Sequence, residues 1–233
     1  MSRVMLSISH EGALEEALFV QQKLAAFGVK SAVREINLNE VYRSSPSFTG
    51  SIRKPKEDHV RVIGDHFSLV ITSRDVYANE NPDSWVFGYC MMDVSKDVHD
   101  QKKPLFVVCT RRLKGMDSEP LTVRTISNEE YLERVLAIAL HEVAHVAVSG
   151  TYLKPTSWVG DNGFVQELGP HCTDHRCLLY EIVGISNPTD GWMKIGDTLT
   201  QDAGLAPLLE RRYLEYFCPR CLPQVKRYLS MLK

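Results

Sequence analysis

The sequence predicts a mixed α/β protein, α+β in its order of elements. Three observations carry that expectation. About five apolar runs of strand length, with one helical stretch among them, precede residue 125. A single long helical period follows Ser127. Four of the six cysteines then fall in two close pairs near the C-terminus. The chain has 233 residues, which suits one domain. Residues 1–150 are expected to hold the sheet and the long helix, and residues 151–233 a small C-terminal subdomain.

The first strand covers residues 3–9. Leu14, Leu18, Val20, Leu24 and Phe27 then recur at helical spacing, with Gly28 as the stop. Ser31 to Leu38 alternates as a second strand. Residues 43–58, rich in Ser, Pro and Gly with interleaved Arg and Lys, read as a mobile loop. Phe67–Thr72 reads as a buried strand, Asn79–Asp83 as a turn, and Trp85–Met91 and Leu105–Thr110 as two further strands. Ser127-Asn-Glu-Glu130 is a capping box that opens a helix ending at Gly150.

Composition narrows the function classes. The chain is 44% apolar and 24% charged, which excludes wholesale disorder and fibrous structure. A net charge of −2 argues against a broad basic face for nucleic acid. No apolar run approaches the roughly 20 residues of a membrane span, and Val4–Ile8 is too short for a signal-peptide core. A cytoplasmic protein with no membrane partner is expected. In that compartment close cysteine pairs read as metal ligands, whereas Cys90 and Cys109, in apolar runs, read as ordinary buried thiols.

His141-Glu142-Val143-Ala144-His145 lies inside the long helix. Residues i and i+4 are about 40° apart in helical projection, so both imidazoles point the same way and can share one metal. Glu142, rotated by about 100°, can reach a metal-bound water without itself being a ligand. Zinc would lower the pKa of that water towards ~7, and the carboxylate would take its proton and pass it to a leaving amine. An open zinc site needs one more protein ligand. His171, Glu167 and His175 are the candidates. His171 is preferred, because it follows the Gly169-Pro170 turn and is bonded directly to Cys172. Gly160, Gly163, Gly169 and Pro170 also leave little room for a helix to carry a glutamate ligand.

Cys172 and Cys177, with Cys218-Pro-Arg-Cys221, supply four thiolates. Four sulfurs at about 2.3 Å make a closed, structural zinc site. The last pair is a knuckle-type turn, followed by Leu222–Leu229 as a short closing helix. Three histidines and four cysteines thus suit two zinc ions per chain, one open and catalytic, one closed and structural.

HExxH, a later His-Cys, a Cys-x4-Cys and a final Cys-x2-Cys resemble, in order, the signature of the archaemetzincins, a metzincin branch of the zinc metallopeptidases. Leu69–Tyr77, Trp85–Gly88, Leu105–Leu113 and Glu133–Leu136 look like that family's core blocks, so the likeness spans residues 65–150 and 168–231. It implies a zincin-like mixed twisted sheet, an active-site helix beneath it, an edge strand lining the cleft, and hydrolysis of a peptide or protein substrate. This chain departs from the pattern. Val148 and Thr151 stand where the family has glycine and the third histidine, and His171-Cys172 follows about 20 residues later. Leu179 stands where the family has methionine, with Met193 as a substitute for it. The HExxH, the Gly-Pro-His and the knuckle also resemble the SprT-like DNA–protein crosslink proteases. Two non-catalytic alternatives are a zinc-stabilised binding module descended from a peptidase, and a nucleic-acid binder using Arg211, Arg212, Arg220, Lys226 and Arg227. Glu210 and Glu215 dilute that last cluster.

Overall fold

The computed structural model describes residues 6–38, 51–53, 68–77, 85–91, 104–114, 127–159, 165–174, 176–180, 192–195, 198–201 and 216–232. The chain divides into two compact units, residues 1–142 with 228–233, and residues 143–227.

In the first unit, β1 (Leu6–Glu11), α1 (Leu14–Ala26) and β2 (Ser31–Glu35) form a parallel crossover in which Leu6 pairs with Ser31. Next come β3 (Ser51–Arg53), β4 (Ser68–Thr72), β5 (Asp75–Tyr77), β6 (Trp85–Val86), β7 (Gly88–Met91) and β8 (Leu105–Cys109). The main sheet has the order β2-β1-β4-β8-β7 and is parallel except for β7, which runs antiparallel at the edge. Every residue of β8 is buried, as expected of an unbroken apolar run in the interior of a sheet, here between β4 and β7. Leu6, Ile8, Leu69, Ile71 and Phe106 form its core with Val20 and Leu24 of α1.

Two expectations change here. Trp85–Met91 is not one strand. Cys109 N–H donates to the carbonyl of Phe87 at 2.7 Å, and at this point the chain passes from one sheet to another. Trp85–Val86 pairs with β5 in a small sheet ordered β3-β5-β6, whereas Gly88–Met91 joins β8. Within the segment read as a mobile loop, Ser51–Arg53 is a strand, ordered by parallel pairing with Asp75–Tyr77. Local composition does not report a pairing across more than 20 residues.

The long helix, α2 (Asn128–Ala147), begins as expected: Glu130 N–H donates to Ser127 Oγ at 3.1 Å. Its first half is tied to α1 by three side-chain hydrogen bonds. Asn128 Nδ2 donates to Glu15 at 2.7 Å, Lys23 Nζ to Glu133 at 2.7 Å, and the buried Tyr131 hydroxyl to Glu16. Arg134, also buried, bonds Glu130 at 2.9 Å and the Leu113 carbonyl at 3.3 Å. These bonds fix the pitch of the helix that carries His141 and Glu142.

The second unit contains an antiparallel hairpin, β9 (Leu153–Val159) with β10 (Val165–Cys172), and a second pair, β11 (Trp192–Ile195) with β12 (Thr198–Gln201). The closing helix, α3 (Leu222–Met231), begins in this unit. Among the described residues no helix is long and apolar enough to cross a membrane.

Candidate functional site

α2 runs unbroken through the division between the units, so His141 and His145 stand one turn apart on one helix. His171 comes from β10. The ligand atoms of these three histidines all lie within 4.8 Å of one another. His145 and His171 meet edge to face, with ring centroids 4.7 Å apart. Burial, followed by the neighbouring His171, pushes the His145 pKa down to about 4, and burial also lowers that of His171. Both rings are therefore neutral near pH 7, the form in which imidazole binds a metal.

The hairpin holds these rings from behind. Its register shifts between Glu167 and Gly169, and Gly169 adopts a φ of +85°, a left-handed conformation that favours glycine. His171 Nδ1 lies 3.0 Å from the Gly169 carbonyl and is also hydrogen-bonded to Thr156 Oγ1. His145 hydrogen-bonds the backbone of the next residue, Pro170, whose one backbone polar group is its carbonyl. A Cβ on Gly169 would stand 3.6 Å from His145 Nδ1, so it is the Nδ1 edge of that ring that faces the bulge. A histidine whose outer ring nitrogen is held by a backbone carbonyl is oriented to ligate through the other. This donor set fits zinc.

Glu142 is 6% exposed. Gly88 on the edge strand makes room for it: a Cβ there would lie 2.7 Å from Glu142 Oε1 and 2.8 Å from the Val107 carbonyl. The carboxylate thus lies against the edge strand, on the residue that follows His141 in the helix.

Cys172, Cys177, Cys218 and Cys221 are all buried, with sulfurs within 4.8 Å of one another and no disulfide. Cys172 and Cys218 Sγ are 3.8 Å apart, the separation of about 3.8 Å that two sulfurs at 2.3 Å subtend across a tetrahedral zinc. Backbone N–H groups point at the sulfurs: Asp174 N–H to Cys172 at 3.5 Å and Cys218 N–H to Cys177 at 3.4 Å. The Cys177 thiol is drawn down to about 6, chiefly by its hydrogen bond with Cys221, whose own thiol is pushed up by the same bond and by burial. Burial raises Cys172 to about 11. Leu179, at the position of the family's methionine, is fully buried, and its carbonyl accepts from Cys172 N–H at 2.8 Å. That residue supports the cysteine cluster.

The side chain of Glu167, the side chain of Met193, and His175, Arg211 and Arg212 lie outside the described residues. Arg220 stacks on the Tyr152 ring, 4.6 Å from its centroid. Cys109 is buried and Cys90 half-buried. Sequence reasoning missed Thr156, Gly88 and Tyr152. The last accepts a hydrogen bond from Gln224 Nε2 at 2.7 Å and places its hydroxyl 3.8 Å from Cys221 Sγ. Of the signals involved, only Gly169-Pro170 before His171 is visible in the sequence.

No protein-family model matches the sequence, and no curated protein matches it as a relative. Among solved structures, the chain is similar to the archaemetzincin AmzA from Archaeoglobus fulgidus, solved in complex with malonate. The TM-score is 0.50 at 18% identity, over 95% of this chain and 99% of that one. The mixed α/β fold with its mostly parallel central sheet is thus of the archaemetzincin kind, a distant structural relationship.

Proposed function

We propose that the protein is a zinc-dependent metallopeptidase, a divergent relative of the archaemetzincins, that hydrolyses peptide bonds in peptide or protein substrates. The observation that carries this reading is the convergence of His141, His145 and His171, with Glu142 next to the first of them on the same helix. His141, His145 and His171 would hold the catalytic zinc. Cys172, Cys177, Cys218 and Cys221 would hold a second, structural one. When bound, zinc polarises a carbonyl and lowers the pKa of a coordinated water to about 7. Glu142 accepts a proton from the attacking water and delivers it to the leaving amine, acting first as base and then as acid. The bulge carbonyls would orient the rings of His145 and His171, and burial keeps both imidazoles neutral. α2 and the Gly88 opening keep the carboxylate in place.

The test is Glu142→Gln, with hydrolysis of a fluorogenic peptide library and zinc content measured on the same preparations. Turnover should fall by about 10²–10⁴-fold with zinc content unchanged, the range expected on losing a general base. Hydrolysis by the parent that survives Glu142→Gln would sink the proposed mechanism. Zinc-replete parent that cleaves no peptide would favour the non-catalytic binding module.

A further inference from the structure

We propose that Thr156 is a positioning residue for the third histidine, and that the β9–β10 hairpin is a built outer-sphere clamp for the zinc ligands. The inference rests on the zinc reading above and extends it to residues that touch neither metal nor substrate.

The geometry follows from the hairpin register. Thr156 pairs with Gly169, and His171 lies two residues beyond Gly169 on the same strand. Residues i and i+2 share a face, so Thr156 is the diagonal neighbour of His171. Gly169 has no side chain to stand between them. The Thr156 hydroxyl donates to the Gly169 carbonyl at 2.8 Å and is hydrogen-bonded to His171 Nδ1. That same carbonyl lies 3.0 Å from Nδ1.

Proton bookkeeping then fixes the tautomer. The hydroxyl has one proton, and the Gly169 carbonyl takes it. Nδ1 must therefore carry its own proton, because a bare nitrogen would face two oxygen lone pairs. A protonated Nδ1 in a neutral ring leaves Nε2 as the metal donor. Thr156, the Gly169 carbonyl and the ring form a closed triangle that sets both the tautomer and the rotation of His171. His141 and His145 are already placed together by one helical turn. His171 arrives on a separate strand and depends on the triangle.

The test measures zinc affinity by chelator competition on the full chain, where the histidine and cysteine sites release metal in separate phases. Thr156→Val keeps the shape and removes the hydroxyl. It should weaken the histidine site about 10–100-fold and leave the cysteine phase unchanged, while Thr156→Ser should stay within about threefold of the parent. Parental affinity in Thr156→Val, or Thr156→Ser as weak as Thr156→Val, overturns the inference. His171→Ala is the control for the underlying reading. Loss of one zinc there, with Thr156→Val unaffected, rejects the clamp alone, whereas retention of both zincs rejects the clamp and the histidine site together. If Thr156→Val fails to fold, histidine ¹⁵N shifts of the zinc-loaded parent decide: a protonated Nδ1 on His171 supports the clamp, and a metal-bound Nδ1 overturns it.

Discussion

The two donor clusters solve the same problem by different means. All four cysteines are buried, and the sulfurs of Cys172 and Cys177 accept the backbone N–H groups of Asp174 and Cys218. In the histidine cluster His145 is only partly buried. There the orientation comes from groups behind the rings, Thr156 and two carbonyls of β10. A four-thiolate site is complete and its ligands are its own scaffold. A three-imidazole site is one ligand short, and its rings must be held by groups that a metal does not hold. The contrast teaches that the closed cluster is coupled to folding and the open one to preorganisation.

Breaking the closed cluster should have the largest effect. Cys218→Ser is expected to lose one zinc and to destabilise the 143–227 unit by about 4 kcal/mol or more, the range for loss of a structural metal. Thermal melts and hydrogen exchange read this directly, and a parental melting temperature would remove the structural role. Next, His171→Ala should lose one zinc and essentially all turnover, whereas Glu167→Ala should keep both zincs; elemental analysis of the pair separates them. If Glu167→Ala empties the site and His171→Ala does not, the third ligand is Glu167. Third, Gly88→Ala forces a Cβ to within 2.7 Å of the Glu142 carboxylate. It should cost about 1–3 kcal/mol of stability by overpacking and lower kcat while sparing zinc content. Unchanged kcat would show that the Gly88 opening does not position Glu142. The smallest effect is expected of Tyr152→Phe, which removes the hydroxyl beside Cys221. A loss of about 1 kcal/mol in denaturant melts, with activity intact, would place Tyr152 with the closed cluster.

What was legible in the sequence was what local periodicity encodes. Ser127 marks the start of α2, the His141–His145 spacing puts two rings on one side of it, and the apolar run at Leu105–Cys109 is a fully buried interior strand. The strands that sequence reading missed have either a remote partner or an interrupted pattern. Ser51–Arg53 has too little pattern to be seen without β5. The β9–β10 hairpin contains Lys154-Pro155-Thr156 and Gly169-Pro170, which interrupt strand alternation even though they pair across it. For the same reason Thr156 could not be found. Its role is defined by which residue stands opposite, and register is a property of the folded hairpin. His171 was reachable because the Gly-Pro turn and the adjacent cysteine are both neighbours in the chain.

The two acceptors behind His145 and His171 belong to consecutive residues, Gly169 and Pro170, and the structure contains no cis peptide bond among its described residues. Their carbonyls are therefore spaced by covalent geometry, with one planar amide between them and the pyrrolidine ring restricting the next rotation. Such a pair works as a fixed gauge. A strain that tilts the bulge therefore moves both acceptors together.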